Sequence, residues 1–411
     1  MTAAFATADI SPAWLLRLPG RRIRSFALPV TIVSLRILPV VLLPVAMLCG
    51  SPAVAQVSDA APAGVVLGDQ SAEVPIVIAH RGASGYLPEH TQEATVLAHA
   101  MRADYIEQDC VLTSDGVPVV LHDMILDYVS DVAEQFPERC RADGHWYVND
   151  FTLTEVRQLQ IRERRGPQLP WLSSGSRFPR QQGNFRIATL AEHLQLIEGL
   201  NQSTRHRAGI YVELKQPESH RERQLDLTRA VLQVLTQHGY EAADSRVFVQ
   251  CFSLPELQRL REELGCRLPL VWLVSQAPTP QELQTAAATC DGLGISLSAL
   301  LSGPGSAADK QLSDIVERAH ARGLQVHVWT LRTDALPSWA RRTDQVIDRL
   351  VTDAGVDGIF TDQPDEVVRW RAEQRQDGNA ARQFRLLKSR EGDSEGQRQP
   401  ISDRDAAANG N

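Results

Sequence analysis

Cysteine is scarce in this chain, six residues in 411, and no two of them are spaced as CxxC. That absence speaks against a structural zinc site. Positive charge is also short: the formal net charge is −8. Five arginines (Arg17, Arg21, Arg22, Arg24 and Arg36) face Asp9 alone in the first 55 residues, so the remainder stands at −12. A chain that acidic is a poor general binder of nucleic acid or anionic membrane, and any phosphate it handles must be held by a local site. No GxGxxG turn follows the first apolar strand, which lowers the doubly wound dinucleotide fold as an option. Nor is there a continuous apolar run of about 20 residues, the length a membrane span needs. The run "ILPVVLLPVAMLCG" is broken by prolines and preceded by Arg36.

What is present at the N-terminus is the pattern of an export signal. An Arg-rich stretch, "RLPGRRIRS", leads into that apolar run, and "SPAVAQ" places Ala53 and Ala55 in the small-x-small arrangement before a cleavable bond. Residues 1–55 are expected to be removed after Ala55, giving a periplasmic or secreted protein with no stable membrane span. Residues 56–73 are small and polar, a linker. From 372 to 411 apolar residues are few and no period is sustained, so a disordered tail is expected. Export implies an oxidising compartment. The cysteines beyond the signal are Cys110, Cys140, Cys251, Cys266 and Cys290, an odd number that leaves at least one unpaired. Cys110 and Cys251 sit inside apolar runs and read as small buried hydrophobes.

The folded part is residues 74–371, read as one domain. Eight short apolar runs punctuate it: "PIVIAH", "DYIEQDCV", "AGIYVELK", "RVFVQCFS", "LPLVWLVS", "DGLGISLS", "LQVHVWT" and "VDGIFTD". Amphipathic patterns such as "HTQEATVLAHAMRA", "LDLTRAVLQVLTQHG", "PELQRLREELG" and "DKQLSDIVERAHARG" lie between them, several closed by Gly. Eight strands alternating with helices over nearly 300 residues predict an α/β fold of the (β/α)8 TIM-barrel type. Two features depart from the simple pattern. "VLTSDGVPVVLHD" leaves no room for a helix, and Ser114-Asp115-Gly116 is a hairpin turn, so the second half should return antiparallel and bring His122 and Asp123 toward Glu107 and Asp109. The irregular stretch at about 127–185 is too long for a simple loop and predicts an inserted small subdomain capping the barrel mouth.

In such a barrel the C-terminal strand ends converge on one mouth. They supply His80 and Arg81, then Glu107 and Asp109, then His122 from the hairpin, then Glu213 and Lys215. Alternation puts Glu107 and Asp109 on one face of their strand, and Glu213 and Lys215 on one face of theirs. Three carboxylates so gathered repel and raise one another's pKa unless a hard divalent cation joins them, and oxygen ligands favour Mg²⁺ or Ca²⁺ over zinc. Each alone would read as an ordinary ion-paired carboxylate; the pairing of two such strands favours the metal. His80 and His122, beside this cluster, suit a base and an acid. His80 is assigned as base and His122 as acid, an order that residue types leave open. A turn at Gly82 can swing Arg81 into the mouth, where it and Lys215 would hold a phosphate. Asp362 is placed behind the site or as a helix cap, and Trp329 in the core or on the pocket wall. Glu89 and His90 are weighed evenly between a helix-start role and a direct one. His99, His193, His206, His220 and His238 are expected at the surface.

The segments "IAHRGASGYLPEHT", "YIEQDCVLTSDGVPVVLHD", "VELK" and "DGIFTDQP" resemble the glycerophosphodiester phosphodiesterase family. The "PEHT" form together with "FPERCRADGHWYVNDFTLTEV" and "RFPRQQGNFRIATLAEHLQLIEGLN" resembles its periplasmic branch. The resemblance covers about 74–371. It implies a (β/α)8 barrel with an inserted small subdomain between the early strands, and one divalent cation, Ca²⁺ first and Mg²⁺ second, on Glu107, Asp109 and Glu213. It implies general acid and base roles for His80 and His122. It also implies a small-molecule glycerophosphodiester such as glycerophosphocholine as substrate, with sn-glycerol 3-phosphate and the free alcohol as products. Family members often carry Asn where this chain has His90. The rival readings are a phospholipase D-like lyase on lysophospholipids, which needs an apolar path for an acyl chain, and a non-catalytic surface binding protein on the same barrel. The oligomeric state is left open.

Overall fold

The computed structural model describes residues 74–164, 177–301 and 312–376. The expected signal peptide and linker lie outside the described residues. So does all but the start of the expected tail: the helix that begins at 364 continues through 376, past the expected boundary at 372.

Eleven strands are described: β1 (Ile76–Ala79), β2 (Tyr105–Leu112), β3 (Pro118–Val120), β4 (Gln160–Ile161), β5 (Phe185–Arg186), β6 (Gly209–Leu214), β7 (Val247–Cys251), β8 (Leu270–Val274), β9 (Gly292–Ser296), β10 (Gln325–Leu331) and β11 (Gly358–Thr361). Eight of them pair in parallel in the order β1-β11-β10-β9-β8-β7-β6-β2, and β1 also pairs with β2, which closes the sheet into a barrel. These are the eight runs expected from the sequence. The predicted hairpin is present as well: β3 pairs antiparallel with β2, with Cys110 opposite Val120.

The alternation of each strand sorts its residues between two environments. Outward side chains such as Val77, Ile106, Cys110, Ile210, Val212 and Ile295 pack against helices in one large apolar cluster. Inward ones, Ile78, Tyr211, Val271 and Phe360, fill the barrel with Tyr105, Phe248 and Trp329 around them. The interior is therefore a plugged core, and only its C-terminal end is open for chemistry. His327 lies in this plug, buried, with Nδ1 2.8 Å from the Tyr211 hydroxyl. Gly358 makes room for it: a Cβ there would lie 2.6 Å from His327 Cδ2.

Between β3 and β6 the chain builds a small body with its own apolar cluster, including Leu126, Val129, Val148, Phe151, Leu159 and Phe185. Its two-stranded sheet is β4 with β5.

The expectation of surface histidines fails at three positions. His99, His193 and His220 are buried, and His206 and His238 are half-buried. His193 shares a buried helical stripe with Leu190, Leu194 and Ile197, and its Nδ1 lies 3.2 Å from Oγ1 of Thr95 on the neighbouring helix Gln92–Ala100. His99 continues the stripe Ala94, Thr95, Ala98 and meets Asn201. A helix face, not the polarity of one residue, decided their burial. All five cysteines within the described residues are free, with Cys140 exposed and the others buried.

Candidate functional site

The strand ends converge as the alternation requires. Asp109 stands opposite Glu213 in the β2–β6 register, and Glu213 opposite Gln250 in β6–β7. Glu107, Asp109 and Glu213 each offer an oxygen, and the three lie within 4.8 Å of one another, all buried. The cluster is unbalanced without a cation. Burial, then the neighbouring Asp109 and Glu213, push the Glu107 carboxyl well above its usual range. Burial also raises Glu213, to about 8, even against the Lys215 ammonium 2.7 Å away. Asp109 resists burial and stays low because Lys215 and His90 face it. Its Oδ1 is buried with no hydrogen-bond partner. An orphaned buried oxygen beside two carboxyls that burial drives toward neutrality fits a hard divalent cation, which would satisfy all three at once.

Both Glu107 oxygens and the second Asp109 oxygen are braced. Gln250 Nε2 donates to Glu107 Oε1 at 2.8 Å, and the Arg81 backbone N–H donates to Glu107 Oε2 at 2.9 Å. His90 Nε2 meets Asp109 Oδ2 at 2.6 Å. This backbone contact depends on local geometry: Arg81 has φ +57° and Gly82 φ +78°. The turn brings Arg81 into the mouth as expected, but Arg81 itself takes the left-handed conformation as well as Gly82. A Cβ on Gly82 would lie 2.9 Å from the Ala94 backbone, so the turn admits only glycine there.

The two histidines flank the carboxylates. His80 Nδ1 lies 2.6 Å from Asp362 Oδ1, and its Nε2 lies 3.9 Å from Glu107 Oε2. Donation from Nδ1 to the carboxylate leaves the Nε2 lone pair toward the cavity. Burial, then the Arg81 charge, lowers its pKa to about 4, so the imidazole is neutral near pH 7. His122 Nδ1 meets Asp123 Oδ1 at 2.9 Å, and burial with Arg81 and Lys215 lowers its pKa to about 3. Asp362, behind His80, also receives Arg332 at 2.9 Å and Arg177 at 2.6 Å.

All of this opens into a cavity of about 720 Å³. Its charged and imidazole lining is His80, Arg81, Glu107, His122, Glu213, Lys215 and Arg332. The apolar part of the lining is Phe252, Leu297, Leu301, Trp329, Leu336 and Trp339, with Lys215 Nζ 5.8 Å from the centre of the Phe252 ring. Phe252 and Trp329 meet edge to face, with centroids 5.7 Å apart. The structure thus brings every sequence-predicted site residue to one place. It adds Gln250, Arg332 and Arg164, and it places Glu89 and His90, evenly weighed from the sequence, against Arg81 and Asp109. Gln250 was readable, since strand alternation in "VFVQC" points it inward beside Glu213. Arg332 and Arg164 lie outside the strand alternation and carried no such signal.

The glycerophosphoryl diester phosphodiesterase family model matches residues 80–366. A glycerophosphodiester phosphodiesterase of Haemophilus influenzae is 36% identical over 326 residues, spanning 72% of this chain and 89% of that protein. One from Treponema pallidum is 35% identical, spanning 72% and 91%. A solved phosphodiesterase from Oleispira antarctica in complex with the product sn-glycerol-3-phosphate superposes with a TM-score of 0.51 at 23% identity, covering 72% of this chain and 96% of its own. A solved glycerophosphoryl diester phosphodiesterase homologue from Silicibacter pomeroyi gives 0.56 at 24%, covering 74% and 94%.

Proposed function

This chain belongs to the glycerophosphoryl diester phosphodiesterase family, and on that premise we propose that it hydrolyses glycerophosphodiesters such as glycerophosphocholine to sn-glycerol 3-phosphate and the free alcohol. The observation that carries this reading is the cluster of three buried carboxylates, two of which line the cavity together with two imidazoles and three cationic side chains. The relatives' names and the product bound to the Oleispira antarctica enzyme support it.

Glu107, Asp109 and Glu213 would hold one divalent cation, Ca²⁺ in preference to Mg²⁺. When bound, that ion supplies positive charge against the phosphoryl oxygens. Arg81 and Lys215 supply the rest: the guanidinium meets the phosphodiester as a planar fork, the ammonium as a point charge. Glu89, 3.1 Å from Arg81 Nη1, keeps that fork from swinging away. His80, neutral and with Nε2 free, takes the proton of the attacking hydroxyl, which is water or the substrate's own glycerol 2-hydroxyl; in the second case a cyclic phosphodiester forms, and water then opens it, with His122 taking the water's proton and His80 returning one to the 2-oxygen. As the bond from phosphorus to the head-group oxygen breaks, His122 gives that oxygen a proton. The anionic substrate offsets the Arg81 and Lys215 charges that help hold the His122 pKa low, which favours the protonated form this step needs.

The export pattern of residues 1–55 supports a periplasmic or secreted enzyme, as in the periplasmic branch that the "PEHT" segment resembles. The apolar cavity wall also suits an acyl chain, the feature a lyase on lysophospholipids requires. One panel separates the two: release of glycerol phosphate from glycerophosphocholine against choline release from lysophosphatidylcholine. The hydrolase reading predicts turnover of the first at least tenfold above the second. Preference for lysophosphatidylcholine overturns it, and no turnover of either favours a binding protein.

A further inference from the structure

We propose that Arg164 and Arg177, both contributed by the inserted body, are positioning residues, each holding the aspartate that orients one of the two histidines. The inference rests on the reading that His80 and His122 carry the proton transfers.

The two arrangements repeat one design. Asp123 gives Oδ1 to His122 Nδ1 at 2.9 Å and Oδ2 to Arg164 Nη1 at 2.5 Å. Asp362 gives Oδ1 to His80 Nδ1 at 2.6 Å and Oδ2 to Arg177 Nη2 at 2.6 Å. In each, one carboxylate oxygen faces the imidazole and the other faces guanidinium: Arg164 alone on Asp123, but Arg177 together with Arg332, 2.9 Å away, on Asp362. Neither aspartate can rotate without breaking a charge-assisted bond. A carboxylate fixed in this way keeps the proton on Nδ1 and Nε2 free. The arginines are anchored in turn. Arg164 forks onto Glu89, with Nε 2.8 Å from Oε2 and Nη2 2.5 Å from Oε1. Arg177 pairs with Asp334 at 2.8 Å and donates to the Ser84 carbonyl at 3.2 Å.

Both guanidinium side chains are buried, 6% and 7% exposed. Among the described residues, the wall of the cavity includes neither of them, although it includes Arg81, Lys215 and Arg332. They therefore act through the aspartates and not on the substrate. The two differ in two respects. Arg177 shares the Asp362 oxygen with Arg332, so its loss leaves one guanidinium in place there. Glu89 also holds Arg81, so Arg164 braces both a histidine and the phosphate-binding guanidinium, whereas Arg177 braces a histidine alone.

The test uses the full chain and its R164M, R177M, R164K and R177K variants. Two readouts are taken: steady-state turnover of glycerophosphocholine, and long-range ¹H–¹⁵N spectra of the histidine rings, which report the tautomer independently of activity. R177M, in which Arg332 still reaches Asp362, is expected to lower kcat on the order of 10-fold with KM nearly unchanged, the low end of the scale for groups that orient a working side chain. R164M should lower kcat and also raise KM. Each lysine variant should recover part of the loss, because an ammonium can hold the aspartate but not fork. The His80 ring should be a single Nδ1–H tautomer in the parent and mixed in R177M, and the His122 ring likewise in R164M. Unchanged tautomers in folded variants would overturn the proposal, as would lowered thermal midpoints with kcat held within twofold. If the methionine variants do not fold, the lysine variants carry the same readouts. An inactive parent with the expected tautomers would instead count against the proposed reaction and leave the positioning role standing.

Discussion

His90 Nε2 lies 2.6 Å from Asp109 Oδ2, with both side chains buried and His90 at φ +60°. A residue that the sequence leaves evenly weighed thus braces the most strongly ionised of the three carboxylates. His90→Ala should weaken divalent-cation binding roughly 10–100-fold, the usual cost of losing a ligand's outer partner. His90→Asn, whose amide still donates, should keep most of the affinity. Calorimetric titration with Ca²⁺ compares them, and equal affinity in the alanine variant contradicts the role.

The two histidines should be separately required. His80→Ala and His122→Ala are each expected to lower kcat by about 10²–10⁴, the range for removing a general acid or base. Circular dichroism and thermal midpoints check that the fold survives. Near-normal turnover in either variant removes that residue from the mechanism.

Arg81 and the aromatic wall should fail differently. Arg81→Lys keeps a charge but loses the fork that Glu89 orients, so KM for glycerophosphocholine should rise and kcat should fall. Trp329→Ala opens the apolar lining, where Phe252 meets it edge to face. Its effect should depend on the head group: larger for choline than for unsubstituted glycerol, read as a ratio of kcat/KM values across head groups. An equal loss for every head group argues that Trp329 only packs.

Acid should destabilise the barrel through its plug. Burial lowers the pKa of His327 to about 4 from 6.5. Above pH 6.5 the ring is neutral folded or unfolded and contributes nothing. As pH falls from 6.5 toward 4, the unfolded chain takes up a proton that the folded one refuses, and stability is lost. The loss by pH 5 is about 2 kcal/mol from this residue alone, at 1.36 kcal/mol per pKa unit. Urea unfolding at pH 7.5 and 5.0 checks it: His327→Asn should lose less stability over that interval than the parent. An equal loss in both proteins contradicts it.

How much was legible follows from where each residue sits. Glu107, Asp109, Glu213 and Lys215 were readable because strands impose a period of two, and a polar residue at an inward position of an apolar run stands out. The closed barrel was readable for the same reason, eight times over. His193 and His99 were readable in principle, since each continues an apolar stripe at helical spacing, but reading a histidine as polar put them at the surface. Arg164 and Arg177 were not readable. They lie in irregular chain with no period, and their partners Asp123 and Asp362 are 41 and 185 positions away. Only the tertiary arrangement tells these arginines from the many others that pair at the surface.

The claim on which the rest depends is that Glu107, Asp109 and Glu213 share one cation. Calorimetric titration of the chelator-stripped protein with Ca²⁺ and Mg²⁺ tests it, alongside Glu107→Gln, Asp109→Asn and Glu213→Gln. The expected result is one ion per chain in the parent, a raised thermal midpoint on binding, and loss of that site in each variant. Full-affinity binding in any of the three, or no binding in the parent, would contradict it.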